Sequence, residues 1–478
     1  MTSPKDKLEH ELTSFRRDQA YAYLQRLSGV KPAEIRGQRS RALLTHEAGL
    51  ELIARAVASG ELPPHEYAAV CAHVARAFAE VAYAGARTST LALTSQQVDV
   101  EGDTRSLGGL LGEWLGEGRA ARRERLSSAA DGLLGQYAEQ LVAARARADR
   151  AAGEALSRLA APRHPDAGPE KGVTGLAEQW LELSKDVASE AYARARAETQ
   201  AQGEGGLDTL WATLGTPMRG LFRDEGRYRR LADELAPLGL RQQLAQSARL
   251  APPHPGPFPA PHVLVAAAPR DVRLSPSSID VGLASELLGA DALGRAMAHV
   301  HASPALPFAL RHASAATISR AAGAICTLRF TETSFLRKRR GLSIREAGAV
   351  ARIAGAFVLL ESRLGAAALL ARSLSGNHLQ ARAQVLCERA LLGPVPPGCS
   401  LFLLTRLSAS SAFRGKVWAP SLVYALRERF DVDWYENPRA AEPLRGAFAR
   451  AGDFSVEGLV EELGARIERG AEKLSELF

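Results

Sequence analysis

The sequence predicts a mainly α-helical protein of two helical lobes with one small β element. Three observations carry this expectation. Apolar residues recur at steps of three and four over long stretches, a Pro-rich link interrupts the chain at 251–261, and a strand-like segment follows that link at 262–282. At 478 residues, 46% apolar and 24% charged, the chain has the balance of a globular protein and the length for two or three domains or lobes.

Taken in order, helices are expected at 43–58, 64–84, 122–159, 176–200 and 224–250. In the longest, Leu126, Ala130, Leu133, Tyr137 and Leu141 begin a stripe on one face that continues to Leu159. Such a helix spans on the order of 55 Å at 1.5 Å per residue. Pro and Gly clusters at 161–172, 201–206 and 251–261 mark breaks, and the last divides an N-terminal helical lobe (1–250) from a C-terminal domain (251–478). The Gly-rich GEGGLDTLWATLG (203–215) lacks the lysine of a phosphate-binding loop and reads as a turn. Short apolar runs and turn residues make HVLVAAAPRDVRLSPSSIDVG (262–282) the one convincing β signal, and helices resume at Leu283. No fixed-period repeat is present, which argues against a solenoid.

Several function classes are disfavoured. The first residues, MTSPKDKLEHELTSF, contain no apolar secretory core, and the most lipid-like run (347–373) is interrupted by Arg352, Glu361 and Arg363. A cytoplasmic protein without a membrane span is therefore expected. Cys71, Cys326, Cys387 and Cys399 are far apart and form no CxxC pair, so they read as buried free thiols. The net charge of +7 is spread along the chain and carried mostly by Arg, which does not favour a nucleic-acid partner. The one dense basic run, FLRKRRGLSIR (335–345), reads as a solvated loop or helix end.

Four segments resemble one enzyme family. The helix RYRRLADELAPLGL (227–240), the strands HVLVAAAPRDVRLSP, the following helix that runs into ASPALPF, and the tail ALRERFDVDWYENPRAAEPLRGAFARAGDFSVEGLVEELG (425–464) occur in the order found in thimet oligopeptidase and oligoendopeptidase F-like zinc metallopeptidases. The resemblance covers roughly 221 to the end. It implies a multi-helix metallopeptidase-like fold with the small β element beside the active-site helix, and a zinc ion held by H-E-x-x-H plus a glutamate from the next helix. In that motif two His four apart share one helix face, and the Glu acts as general base on the metal-bound water.

Aligning PALPF (304–308) with the family's turn after the active helix puts Asp291, Ala292, Leu293, Gly294 and Arg295 where H-E-x-x-H should be. No two of the eleven histidines are four apart in any register, and no carboxylate lies between Asp291 and Glu332 to supply the third ligand. The family's chemistry is thus expected to be lost, with catalytic residues, metal and cofactor all absent. Asp291 and Arg295 form an i, i+4 acid-to-base pair. Either the guanidinium occupies the space of the metal, or both are surface residues of an ordinary helix.

Other constellations are weaker. THEAGLEL (45–52) imitates the zinc motif with His46 and Glu47 but has Leu50 in place of the second histidine. His65 and His73, eight apart, are too far along a helix to share an ion and should face a partner helix or solvent. His299 and His301 point to different sides of a helix but would converge with His312 if the helix ends there. Asp431, Asp433 and Glu436 fit a packed turn with Trp434 and Tyr435. Tyr424 lies where relatives place substrate-facing donors, which without zinc leaves it peptide binding at most. The expected function is a catalytically inactive metallopeptidase-like protein whose cleft binds a peptide or protein partner. Two alternatives are a hydrolase with an unorthodox site at His299, His301 or His312, and a basic scaffold that binds nucleic acid or anionic membrane through Arg337, Lys338, Arg339 and Arg340.

Overall fold

The computed structural model describes residues 3–27, 47–64, 66–71, 73–74, 96–159, 170–201, 206–215, 218–222, 225–254, 260–278, 280–313, 315–372, 378–406, 410–451 and 454–476. Helices α1 (Pro4–Leu27) and α2 (Glu47–Ala58) are followed by a helical segment that carries Glu66 and His73. A hairpin, β1 (Gln97–Val100) and β2 (Asp103–Ser106), leads into α3 (Leu107–Gly116) and the long α4 (Ala120–Arg158). Then come α5 (Glu170–Leu183), α6 (Lys185–Thr199), α7 (Gly206–Leu214), α8 (Arg227–Asp233) and α9 (Arg241–Ser247). Strands β3 (Ala248–Leu250), β4 (His262–Ala267) and β5 (Asp271–Ser275) precede α10 (Leu283–Val300), α11 (Phe308–Ala313), α12 (Ala315–Leu328) and α13 (Thr333–Arg340). The remainder comprises α14 (Ile344–Ala371), α15 (Leu379–Leu391), α16 (Pro397–Arg406), α17 (Ser410–Phe430), α18 (Ala441–Arg450), α19 (Val456–Leu463) and α20 (Ile467–Ser475).

The mainly helical expectation holds, and the stripe at 126–159 lies on one helix that Leu159 caps; Leu126, Ala130, Tyr137 and Leu141 are buried as expected, while Leu134 is buried in place of the half-buried Leu133. One apolar core runs from Val98 to Leu474. A second, smaller core gathers Leu8, Leu12, Phe15, Ile53, Ala56, Val70 and Val74 around Leu159 and Phe308–Leu310.

The lipid-like run is α14, the one helix among the described residues long and apolar enough to cross a membrane; it lies largely buried at the centre of the protein. A reciprocal cap between Ser343 and Glu346 starts it. The three charges that interrupt the run are each absorbed by a neighbour. Arg352 pairs with Glu198, Glu361 lies 2.8 Å from Lys416, and the buried Arg363 donates to the carbonyls of Leu181, Arg389 and Ala390 and to the Ser184 hydroxyl. Arg363 thereby satisfies carbonyls at the ends of two helices that would otherwise be orphaned.

Four expectations need correction. The helix expected at 224–250 is two short helices and a strand, because Pro237 and the left-handed Gly239 (φ +68°) stop α8 from continuing. The stretch at 176–200 is two helices meeting at Ser184, and the first begins at 170, inside a stretch read as a break. The Gly-rich 203–215 contains the buried helix α7, whose Gly206 N–H donates to the Pro394 carbonyl in a contact too close for a Cβ. A second β element, the hairpin β1–β2, turns at Glu101–Gly102, both at positive φ. Of the other helix expectations, His46 and the stretch 75–84 lie outside the described residues. All four cysteines are buried and free.

In the three-stranded sheet the order is β3–β5–β4, with β5 parallel to β3 and antiparallel to β4. Val272 and Leu274 of β5 are buried in the main core, and α10 packs against β4 and β5. The alternate residues Asp271 and Arg273 point to the opposite face, where Tyr21 of α1 meets them.

Candidate functional site

Helix α10 is buried along nearly its whole length, including Glu286 and Asp291. Its Gly and Ala residues allow α12 to approach at backbone distance. A methyl group at Gly294 would run into the Ala322 carbonyl, and one at Gly323 would stand 2.5 Å from Asp291 Oδ1 and 2.7 Å from the Asp291 carbonyl oxygen. On the far side of α12, Gly415 of α17 is similarly tight against Thr317 and Ala321. Gly294→Ala is expected to destabilise the fold by about 1–3 kcal/mol through overpacking. The exposed Gly132→Ala in α4, with no atom near its missing Cβ, should instead stabilise by about 0.5–1 kcal/mol. Urea unfolding midpoints of the two variants check the opposite signs.

Against this contact lies the Asp291–Arg295 pair. Arg295 Nε donates to Asp291 Oδ2 at 2.7 Å and a terminal nitrogen donates to the Pro261 carbonyl at 3.2 Å, just before β4. The side chains are 13% and 6% exposed for Arg295 and Asp291, so this is an interior pair and not a surface one. Burial pushes the Asp291 carboxyl up, but the nearby charges of Arg295, Lys416 and Arg320 outweigh it and hold the group below the usual carboxylate range. Ala292 is fully buried beside them.

Three expected histidines have separate settings. His301 Nδ1 donates to the Met297 carbonyl at 2.9 Å, and the ring lies tilted against Phe448. Burial lowers its pKa. His312 is buried, stacks on Phe308, and accepts the Ala268 N–H at Nε2, 3.3 Å away. His299 adds to the electrostatic surroundings of His312, while His301 turns to Met297 and Phe448. His73 is buried as well, bonded to Arg16 and the Ala309 carbonyl, and His65 lies outside the described residues. Among the described residues no three His, Cys, Asp or Glu side chains are arranged to hold a metal ion. Tyr424 sits under Arg469 of α20 and against Glu428, its contacts directed to the C-terminal helix and not to the Asp291 pair.

The basic run is a helix end with Arg337, Lys338 and Arg339 exposed, as expected, and only Arg340 departs from it. Arg339 is bidentate to Glu436 and Lys338 lies 4.0 Å from Asp433 and Glu436, while Arg337 is exposed. Arg340 turns inward to Glu234 and Glu286. Trp434 and Tyr435 are buried in a packed turn, as expected.

Sequence reasoning missed the ion network built on Glu286. This fully buried carboxylate takes Arg227 Nε at 3.0 Å and Arg340, while Arg227 also reaches Asp280 at 2.7 Å. Arg340 and Arg329 flank Glu234, whose pKa is raised because burial outweighs these cations. The network ties α8, α10 and α13 together.

The chain matches no known family profile and no curated protein. Solved structures do match along nearly the whole length. A Bacillus anthracis str. Ames protein assigned as an oligoendopeptidase F superimposes with a TM-score of 0.63 at 12% identity, over 95% of this chain and 87% of that one. Metallocarboxypeptidase 1 of Trypanosoma cruzi gives 0.59 at 12% identity over 99% of both, and the Pyrococcus furiosus carboxypeptidase 0.57 at 12% identity over 100% and 99%. The fold is the helical metallopeptidase fold. Within that metallopeptidase-like frame both halves of the chain are accounted for, since each match extends through the N-terminal helices as well as the sheet and α10. The likeness is one of architecture.

A zinc ion, which the fold family implies, does not fit the residues at the positions that the sequence aligns with H-E-x-x-H. The one carboxylate at the aligned positions is already neutralised by a guanidinium, α12 offers no carboxylate, and its backbone fills the space beside Asp291.

Proposed function

We propose that this chain is a metallopeptidase-fold protein without hydrolytic activity that works as a cytoplasmic peptide- or protein-binding component. The observation that carries the reading is the buried Asp291–Arg295 pair at the positions aligned with the zinc motif. A fixed guanidinium supplies the positive charge there, yet it has no open coordination position at which to lower the pKa of a water. The neighbouring helix contact through Gly294 and Gly323 supports the same reading, because it leaves no space for a third ligand. A concave surface between helical lobes can bind an extended chain whether or not chemistry follows.

Elemental analysis of protein purified without chelators, paired with a peptide-library cleavage assay on the same sample, tests the proposal. No stoichiometric zinc and no cleavage are expected. About one tightly held metal per chain, lost together with cleavage on chelation, would overturn it.

A further inference from the structure

The N-terminal helices rest on the body of the protein at a junction crowded with basic groups. On one side, α1 packs against β4 and α11, and its small apolar core borrows Leu159 and Phe308–Leu310 from the body. The rest of the contact is polar: Tyr21 bonds Asp271 and Arg273, and the Arg273 guanidinium lies over the Tyr21 ring.

Two imidazoles at this junction are each committed to accepting a hydrogen bond. Arg16 of α1 has no proton-accepting capacity, so its 3.1 Å contact with His73 Nδ1 makes that nitrogen the acceptor, and Nε2–H donates to the Ala309 carbonyl at 3.2 Å. His312 Nε2 accepts the Ala268 N–H from the β4–β5 turn. Protonating either ring would place a hydrogen against an existing donor. The groups facing His312 are Arg16 from α1, His73 from the neighbouring segment, His299 from α10 and Arg311 from its own helix, all basic. Among the described residues the carboxylates of these elements are engaged elsewhere: Glu66 with Lys5, Asp271 with Arg273 and Tyr21, Asp291 with Arg295. Asp18 follows Arg16 by two residues, about 200° round the helix. In the turn, Arg270 adds a further cation.

We infer that α1, α2 and the segment carrying His73 form a lid that is latched by neutral His73 and His312 and opens when they take up protons. The main core has no part in the latch, so the body stays folded while the lid lifts from Phe308–Leu310 and the outer face of the sheet. In keeping with this, burial and the surrounding cations depress the pKa of His312 well below 6.5. The latch is complete above pH 6.5, where the free imidazole is also neutral, and weakens as the pH falls below it, because the open form binds protons more readily. The inference is independent of the proposed loss of hydrolysis.

Hydrogen–deuterium exchange on the full chain, corrected for the pH dependence of the chemical step, tests it. Between about pH 7.5 and about pH 5.5, protection in α1, the His73 segment, the β4–β5 turn and α11 should fall on the order of tenfold or more, ahead of α4, α12 and α14. The double variant His73→Gln, His312→Gln, whose amides still accept hydrogen bonds, should lose that acid response. The single variant His312→Gln, which leaves one titrating latch residue, should show about half of the acid response on a logarithmic scale and serves if the double variant does not fold. Loss of protection that is uniform along the chain, or an acid response unchanged in either variant, would each overturn the latch.

Discussion

Arg295→Ala is expected to lower the stability of the fold by about 3–5 kcal/mol, read as a fall in the urea midpoint. The loss comes less from the missing attraction than from what it leaves behind. Asp291 would remain buried against Gly323, with Oδ2 stripped of its donor and Oδ1 accepting no hydrogen bond from the described residues. Replacing both members, as Asp291→Leu with Arg295→Met, should cost much less, because no uncompensated charge is then buried. The pH dependence separates these cases. In the parent chain the carboxyl is held below 3.8, so its contribution is present above that value and is lost as the pH falls through the folded pKa. Without Arg295 burial pushes the carboxyl up, and the variant should regain part of its deficit on acidification.

A comparable loss, about 3–5 kcal/mol, is expected for Glu286→Ala. Glu286 is fully buried and its oxygens meet Arg227 and Arg340, with Arg230 3.9 Å away. Arg227 would retain Asp280 and Arg340 would retain Glu234, but four cations, with Arg230 and Arg329, would then share two carboxylates. Glu286→Gln keeps the shape and one accepting oxygen and should fall between the parent and the alanine variant. Chemical denaturation of the three proteins checks the order. Equal stability of Glu286→Ala and the parent would mean that water reaches the network.

Much of the helical frame was legible because amphipathic period survives in a single sequence. The stripe from Leu126 to Leu159 needs no tertiary information, and neither does the Pro-rich link before β4. What misled was local chemistry overridden at close quarters. Gly206 looks like a turn residue, yet it starts a helix because the Gly393–Pro394 backbone passes where a side chain would be. Leu240–Leu250 has helical composition, but its last three residues are recruited as a strand by β5.

At the candidate site the absence of H-E-x-x-H could be read directly, since a motif either occurs or does not. The setting of Asp291 and Arg295 could not. An i, i+4 Asp–Arg pair has the same spacing on a solvated face as in a core, and only the approach of α12 decides which it is. Glu286 reads as an ordinary first-turn acid, and its partners Arg227 and Arg340 lie 59 and 54 residues away. The junction of His73 with α11 depends on a contact between residues 236 apart.

On the function proposed above, the glycine contact between α10 and α12 also makes the loss of a metal site hard to reverse. Writing two histidines and a glutamate back into 291, 292 and 295 would recreate a zinc motif on paper only. The second helix would still have to supply a carboxylate, and at Gly323 even a methyl group meets the Asp291 backbone. Re-arming the site therefore demands that two packed helices move apart before any ligand is of use, and every intermediate sequence bears that cost with no metal to offset it.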